Sequence, residues 1–255
     1  MHYRRALGLL CLTVVSLAAQ PTPFVFAVVA DPQIGWKDLA ADREMFARTA
    51  AGLNALRGTS RPAFVLIAGD MINDPKVEAQ TAAYEEIRKT INYPVYTVPG
   101  NHDAVPSAPA RFTFEHQGCL FLGLDSGLWN AAETAPAEEQ FKWLEEQLSK
   151  RDRYRQVYVI QHFPLYLHDP QEKDEYFNVS VKWRQRLLDL VESARVTAMI
   201  FGHLHRHTTL WHKSVALLVT ASSLSNFDGI PPGYWLIEVT SAGFAQTYRT
   251  LPAKP

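Results

Sequence analysis

The chain has 255 residues, 47% of them hydrophobic, with 25 Lys and Arg against 26 Asp and Glu. That length and composition bury one sizeable core without requiring a second domain. A formal charge of -1 gives no electrostatic footing for nucleic acid or an anionic membrane as the main partner, and two cysteines exclude a disulfide framework or a cysteine metal site.

Residues 1–19 open with Arg4 and Arg5, run through an apolar stretch and end on Ala18-Ala19, the layout of a signal peptide. The apolar stretch is shorter than the ~20 residues a membrane span needs. Cleavage near Ala18 or Ala19 is therefore expected, with export to a periplasm or the cell exterior and no stable span afterwards. Arg4-Arg5 also suits twin-arginine export. Cleavage takes the formal charge from -1 to -3 and leaves Cys119 as the remaining cysteine, read as a small core residue.

A single domain over residues 24–251 is expected next. Residues 24–30 are a continuous apolar, β-branched run, the mark of a fully buried strand, and they end in Asp31-Pro32-Gln33. Leu39, Phe46, Ala50, Leu53 and Leu56 then recur at helical spacing. The pattern repeats when a strand over 63–68 runs into Gly69-Asp70-Met71-Ile72-Asn73-Asp74. Val77, Tyr84, Ile87 and Ile91 line a second helix, and a strand over 95–98 delivers Gly100-Asn101-His102-Asp103. Residues 104–110, with Pro106 and Pro109, form a loop placed to rim an active site.

Strands over 111–114 and 119–124 follow, the second ending in Asp125, and a helix over 136–148 has Pro136 near its first position. A strand over 157–160 ends in Gln161-His162-Phe163-Pro164. After a long polar loop over 168–178, a helix capped by Ser180 is buried through Trp183, Leu187 and Val191. A strand over 197–201 meets Gly202-His203-Leu204-His205, and three strands over 215–221, 234–239 and 244–250 close the chain. Strand-helix alternation argues for an α/β fold with βαβ units and a largely parallel core sheet.

Five apolar strands thus end in Asp31/Gln33, Asp70, Asn101/His102, His162 and His203/His205. In open α/β sheets the carboxyl ends of the strands form the ligand crevice, so these groups converge on one site. A lone Asp or His at a strand end is ordinary turn chemistry; five in succession are not. The order Asp-x-Gln, Gly-Asp-x-x-Asn, Gly-Asn-His-Asp, an isolated His, then Gly-His-x-His resembles the calcineurin-like metallophosphoesterase family over about residues 28–248. That family's pattern begins Asp-x-His, and Gln33 stands in place of the His. With Gln161-His162-Phe163-Pro164-Leu165, Tyr176-Phe177-Asn178 and Gly202-His203-Leu204-His205-Arg206, the substitution is similar to the family's branch of calcineurin-like phosphoesterase domain-containing, or complete serine/threonine, protein phosphatases.

The resemblance implies a single-domain, four-layer α-β-β-α sandwich and two divalent metal ions, Mn, Fe or Zn. Asp31, Gln33, Asp70 and His205 would hold the first ion, and Asp70, Asn101, His162 and His203 the second, with Asp70 as the bridge. Two such ions about 3.5–4 Å apart acidify a shared water and clamp the oxygens of an in-line displacement at phosphorus. His102 takes the family position that faces the leaving group, as general acid or transition-state stabiliser. Asn73 and Asp103 support the site, and Asp74 is a further candidate. An amide oxygen favours harder ions than imidazole does, so Gln33 is expected to weaken the first metal site and to suit Mn²⁺ or Mg²⁺.

The reaction so implied is hydrolysis of a phosphate ester by a metal-bridging hydroxide. A monoester of a small phosphorylated molecule or nucleotide is favoured over a diester or nucleotide pyrophosphate. A non-catalytic binding module on the same fold is the rival, and retention of His102 speaks against it. Trp36, Tyr166, Tyr176 and Asn226 lie in loops that could ring the substrate, whereas His116, His168, His207 and His212 receive no role. Asn178-Val179-Ser180 matches a glycosylation acceptor and is read as coincidence.

Overall fold

The computed structural model describes residues 22–103, 111–130 and 134–251. The signal-peptide reading and the 104–110 rim lie outside the described residues. In chain order the elements are β1 (Phe24–Val29), α1 (Leu39–Ala55), β2 (Pro62–Ala68), α2 (Glu78–Arg88), β3 (Val95–Val98), β4 (Phe112–His116), β5 (Cys119–Gly123) and α3 (Ala135–Leu148). They continue with β6 (Gln156–Ile160), α4 (Val181–Ser193), β7 (Ala198–Phe201), β8 (Thr208–His212), β9 (Val215–Val219), β10 (Gly233–Val239) and β11 (Phe244–Thr250).

The apolar runs are continuous where strands such as β1, β5, β6, β7 and β9 are covered on both faces, and successive side chains point to opposite faces. Val25, Ala27 and Val29 of β1, with Val65 and Ile67 of β2, pack under Phe46 and Leu53 of α1 and Tyr84 and Ile87 of α2. The alternate set, Phe26, Val28, Phe64 and Leu66, meets Phe121, Tyr158, Ile200 and Leu218 of a second sheet. That sheet's other face, including Leu122, Val159 and Met199, packs on Leu144 of α3 and on Trp183 and Leu187 of α4. Three cores therefore separate four layers, giving the α-β-β-α sandwich.

The core is not one largely parallel sheet. The first sheet has the order β11-β10-β1-β2-β3 and the second β4-β5-β6-β7-β9-β8. Parallel pairing is confined to β1-β2-β3 and to β5-β6-β7-β9, while β4, β8, β10 and β11 pair antiparallel. Short turns enforce this, because a two-residue link cannot make a crossover. Gln117 and Gly118, at φ of 46° and 72°, form such a link between β4 and β5.

Two local expectations are corrected. β8 is an edge strand with no buried residue, so it leaves no apolar run to read. Ser180 occupies the position before α4, but its side chain makes no capping bond. The Val181 N–H donates instead to Asp174 Oδ1 at 2.6 Å, which satisfies another orphan donor of the first turn from the preceding loop. Among the described residues no helix is long and apolar enough to cross a membrane.

Phe121 links the two sheets, stacking on Phe114 at 4.9 Å and on Tyr158 at 5.1 Å and meeting Phe26 edge-on at 5.3 Å. Phe121→Ala is expected to cost about 3–5 kcal/mol in urea unfolding. A loss of only about 1 kcal/mol, an ordinary mutational shift, would show that the sheets are held together elsewhere.

Candidate metal centre

Parallel strands of both sheets point the same way, so their carboxyl ends bring the polar segments together. β1 delivers Asp31 and Gln33, β2 Asp70, β3 Asn101 and His102, β6 His162, and β7 His203 and His205. Asp31, Gln33, Asp70, His203 and His205 all have positive φ, at 49°, 33°, 50°, 71° and 45°. Non-glycine residues reach that region at a cost, and such strain clusters where a function over-determines the backbone. Two glycines make room at the same spot. A Cβ at Gly69, whose φ is 87°, would run into the His162 ring, and one at Gly100 into the Asp70 carboxylate.

Each imidazole has one nitrogen committed to a main-chain carbonyl. His162 Nδ1–H donates to Ala68 O at 2.7 Å, leaving Nε2 3.2 Å from Asn101 Oδ1 and 3.3 Å from Asp70 Oδ2. His205 Nδ1–H donates to Ser225 O at 2.8 Å, leaving Nε2 3.5 Å from Asp31 Oδ1. His203 Nε2–H donates to Tyr176 O at 3.3 Å, which leaves Nδ1 as its lone-pair atom. Fixing the remote nitrogen in this way orients an imidazole toward a metal.

The oxygens are arranged alike. The His203 backbone N–H donates to both Asp31 carboxylate oxygens at 3.1 Å, and the Ser222 hydroxyl donates to Asp31 O at 2.9 Å. Asp70 Oδ1 accepts from the His102 backbone N–H at 3.0 Å. Asn101 and Gln33 both spend their amide N–H, on the Tyr176 hydroxyl at 3.0 Å and on Asn73 Oδ1 at 3.4 Å. Gln33 Oε1 is buried with no hydrogen-bond partner. A buried orphan acceptor calls for a ligand, and a cation satisfies it. Donor atoms of Asp70, His162 and His203 lie within 4.8 Å of one another, close enough to hold one metal ion. The residues present fit divalent metal.

Electrostatics agree. Burial pushes the Asp70 carboxyl up, but the charge and hydrogen bond of His162 outweigh it and hold the group at about 2. Burial likewise opposes charge on His162, and Asp70 overrides it, raising the imidazole to about 9. Burial, reinforced by the His162 charge, keeps His203 down at about 3 and so neutral. Burial lifts Asp103 to about 6 against the Gly100 N–H that it accepts.

His102 lines a cavity of about 310 Å³ together with Gln33, Asp70, His203 and His205. Its Nδ1–H points at Asn73 O, 2.9 Å away. Asn73 thus touches both His102 and Gln33. Asp103 clamps the β2 and β3 ends together by accepting from Met71 N at 2.9 Å, Ile72 N at 3.3 Å and Gly100 N at 2.8 Å. Asp74 turns away, accepting from Lys76 N at 2.9 Å in its own turn.

Several contributors left no sequence signal. Asp42 of α1 accepts from the N–H groups of Gly35, Lys37 and Asp38 at 3.1, 3.0 and 3.3 Å and so sets the loop after Gln33. Gln80 of α2 accepts from Asn73 N at 3.0 Å and Asp74 N at 2.7 Å. Arg184, fully buried, donates to the carbonyls of Pro170, Glu172 and Val179 and ties down the 168–178 loop. Of the four residues expected to ring the substrate, Trp36 and Tyr176 line the cavity, joined by Phe177 and Phe227. Tyr166 is buried with its hydroxyl on Trp211 O, and the Asn226 amide closes its own turn onto Ser222 and Ile230. Asn178 is buried, its amide donating to Glu172 Oε1 and Lys173 O, so it presents no glycosylation acceptor.

The sequence model of the calcineurin-like phosphoesterase family matches residues 24–207. The chain belongs to that family. Human serine/threonine-protein phosphatase CPPED1 is 28% identical to it over 264 residues, spanning 90% of this chain and 84% of that protein. A probable glycerophosphodiester phosphodiesterase, GpdQ of Arcobacter nitrofigilis, is 31% identical over 179 residues, 64% of each chain. Purple acid phosphatase PPD1 from yellow lupin superposes at a TM-score of 0.67 with 14% identity, covering 91% of this chain and 52% of that one. GAP50, the anchor in the inner membrane complex of Plasmodium, does so at 0.66 with 16% identity, covering 91% and 86%. These two share the fold. As a calcineurin-like phosphoesterase with phosphatase and phosphodiesterase relatives, the chain is a phosphoric ester hydrolase of a family that uses divalent metals.

If His162 is a ligand it must bind metal unprotonated, whereas, against burial, Asp70 raises the metal-free imidazole to about 9. Near neutral pH, loading is expected to expel about one proton and to strengthen as pH rises. Calorimetry of Mn²⁺ binding in buffers of different ionisation enthalpy reads this directly. Binding without proton release would remove His162 from the ligand set.

Proposed function

We propose that this calcineurin-like phosphoesterase is an exported phosphomonoesterase working with two divalent ions. Asp31, Gln33, Asp70 and His205 hold one ion, Asp70, Asn101, His162 and His203 the other, and Mn²⁺ suits the two amide oxygens. The observation that carries the reading is the unpartnered Gln33 Oε1 among converging, pre-oriented donors, with His102 beside them. When bound, the ions supply an activated water and neutralise phosphate charge. Only Asp31 and Asp70 bring negative charge to the set, so the loaded centre attracts an anion.

His102 does the proton work. With Nδ1–H held by Asn73 O, Nε2 is the nitrogen available to deliver a proton to the departing ester oxygen. Gln33 and Asn73 fix each other, and Asp103 keeps the His102 turn against the Asp70 turn. Monoesters are favoured because the relatives spanning 90% of this chain are named phosphatases. The GpdQ relative makes diester cleavage the second reading. GAP50 illustrates the fold in an anchor, but the donor set and His102 point here to catalysis. Export rests on the composition of residues 1–19 and makes small phosphorylated molecules or nucleotides the substrates within reach.

Hydrolysis of para-nitrophenyl phosphate and its bis ester by Mn²⁺-loaded protein is the test. The monoester is expected to turn over faster. His102→Ala should lower kcat by about 10²–10⁴-fold with metal retained, and Asp70→Asn should lose metal and activity together. Wild-type kcat in His102→Ala would remove the proton role, and a faster bis ester would reverse the substrate assignment. For export, N-terminal sequencing after cell fractionation should find chains beginning after Ala18 or Ala19 outside the cytoplasm; an intact, cytoplasmic chain would refute it.

A further inference from the structure

The cavity rim carries aromatic rings that the hydrolysis itself does not need. Tyr176, Phe177 and Phe227 are 63%, 47% and 65% exposed, and among the described residues the other exposed large aromatic side chain is Trp211. Holding rings in water is unfavourable, so a cluster of them marks a place that binds something. They stand in two groups beside the candidate ligands. Tyr176 and Phe177 lie 5.2 and 6.4 Å from the His203 ring. Phe227 stacks on His205 at 5.2 Å and 20°, and Trp36 meets His205 at 5.0 Å and Phe227 edge-on at 5.9 Å.

These rings are held in place. Phe227 N–H donates to His205 O at 2.8 Å, and the next residue, Asp228, accepts from His207 N at 2.8 Å, so the Phe227 turn is zipped to the His205 loop. Trp36 N–H donates to Gln33 O at 3.1 Å in the loop that Asp42 organises. Tyr176 is fixed at both ends, its hydroxyl by Asn101 and its carbonyl by His203. A ring fixed before binding loses little freedom when a flat partner stacks on it.

We propose that Trp36, Tyr176, Phe177 and Phe227 form a leaving-group subsite for a flat aromatic ring. The substrates of this site are then nucleoside or aryl phosphates in preference to alkyl phosphates such as glycerol phosphate or phosphoserine. The inference rests on the phosphoesterase reading above. In the reaction the P–O bond to the ring-bearing alcohol breaks, the oxygen of water bonds to phosphorus, and a proton passes to the departing oxygen.

Two measurements separate the rim from the chemistry. In Mn²⁺-loaded protein, kcat/KM for adenosine 5′-monophosphate or phenyl phosphate should exceed that for glycerol phosphate. Phe227→Ala should cut that ratio about tenfold, the cost of one missing aromatic stack, and Phe227→Tyr should restore it. The nucleotide and phenyl arms distinguish a nucleobase from a single ring. In metal-free protein, saturation-transfer NMR with adenosine and 4-nitrophenol, which lack phosphate, should show ring saturation that Phe227→Ala weakens. An equal preference for glycerol phosphate, or a ratio unchanged in Phe227→Ala, overturns the subsite. Protein that hydrolyses no ester refutes the phosphoesterase reading alone, and the NMR then decides. Ring saturation weakened by Phe227→Ala upholds the subsite; saturation that is absent, or insensitive to Phe227, removes it.

Discussion

The structure is arranged around a carboxylate that has no business being buried alone. Asp70 is 2% exposed at the end of a central strand, and an isolated buried charge costs several kcal/mol. Here it faces His162 from the other sheet and accepts from the turn that follows β3. One residue thus ties three strand ends and both sheets to a single point. Gly69 and Gly100 lack side chains because that point has no room for them. Metal would complete the arrangement, since the attraction now supplied by a protonated imidazole would come from a cation.

Around this point the protein uses main-chain geometry more than side-chain chemistry. Five of the seven candidate donor residues, Asp31, Gln33, Asp70, His203 and His205, adopt left-handed backbone that the strands feeding them do not favour, and the surrounding polar residues act mostly as acceptors for loop N–H groups. Asp42, Gln80 and Asp103 all serve in that way. Each is a buried polar group that would be costly without its partners, so each fixes its loop in one conformation.

What was legible in the sequence follows from which forces leave periodic marks. Two-sided burial writes continuous apolar runs, and βαβ spacing writes strand-helix alternation, so the main strands and helices were readable, as was the set of polar residues at five strand ends. Membership of two separate sheets came only from the family resemblance and not from periodicity, because it is decided by packing between Phe26, Phe64, Phe121 and Tyr158, which are far apart in sequence. β8 has no buried side and so no pattern. Asp174 displaced Ser180 as the α4 cap because a loop folded back on the helix, which no local rule anticipates. Gln80 and Asp42 look like ordinary helix-surface residues until tertiary contacts bury them, and Phe227 is a lone aromatic in a turn.

The bonds from the Arg184 guanidinium to the 168–178 loop end on carbonyl oxygens, which every amino acid supplies alike. Beyond Glu172, Asp174 and Asn178, whose side chains bond within or beside it, the loop can change side chains without losing that hold. Substitutions at Phe177, unlike those at Tyr176 whose hydroxyl accepts from Asn101, can accumulate without refolding the segment or disturbing the reaction centre. A single interior cation, by gripping only the backbone, lets part of the proposed aromatic rim vary apart from the chemistry.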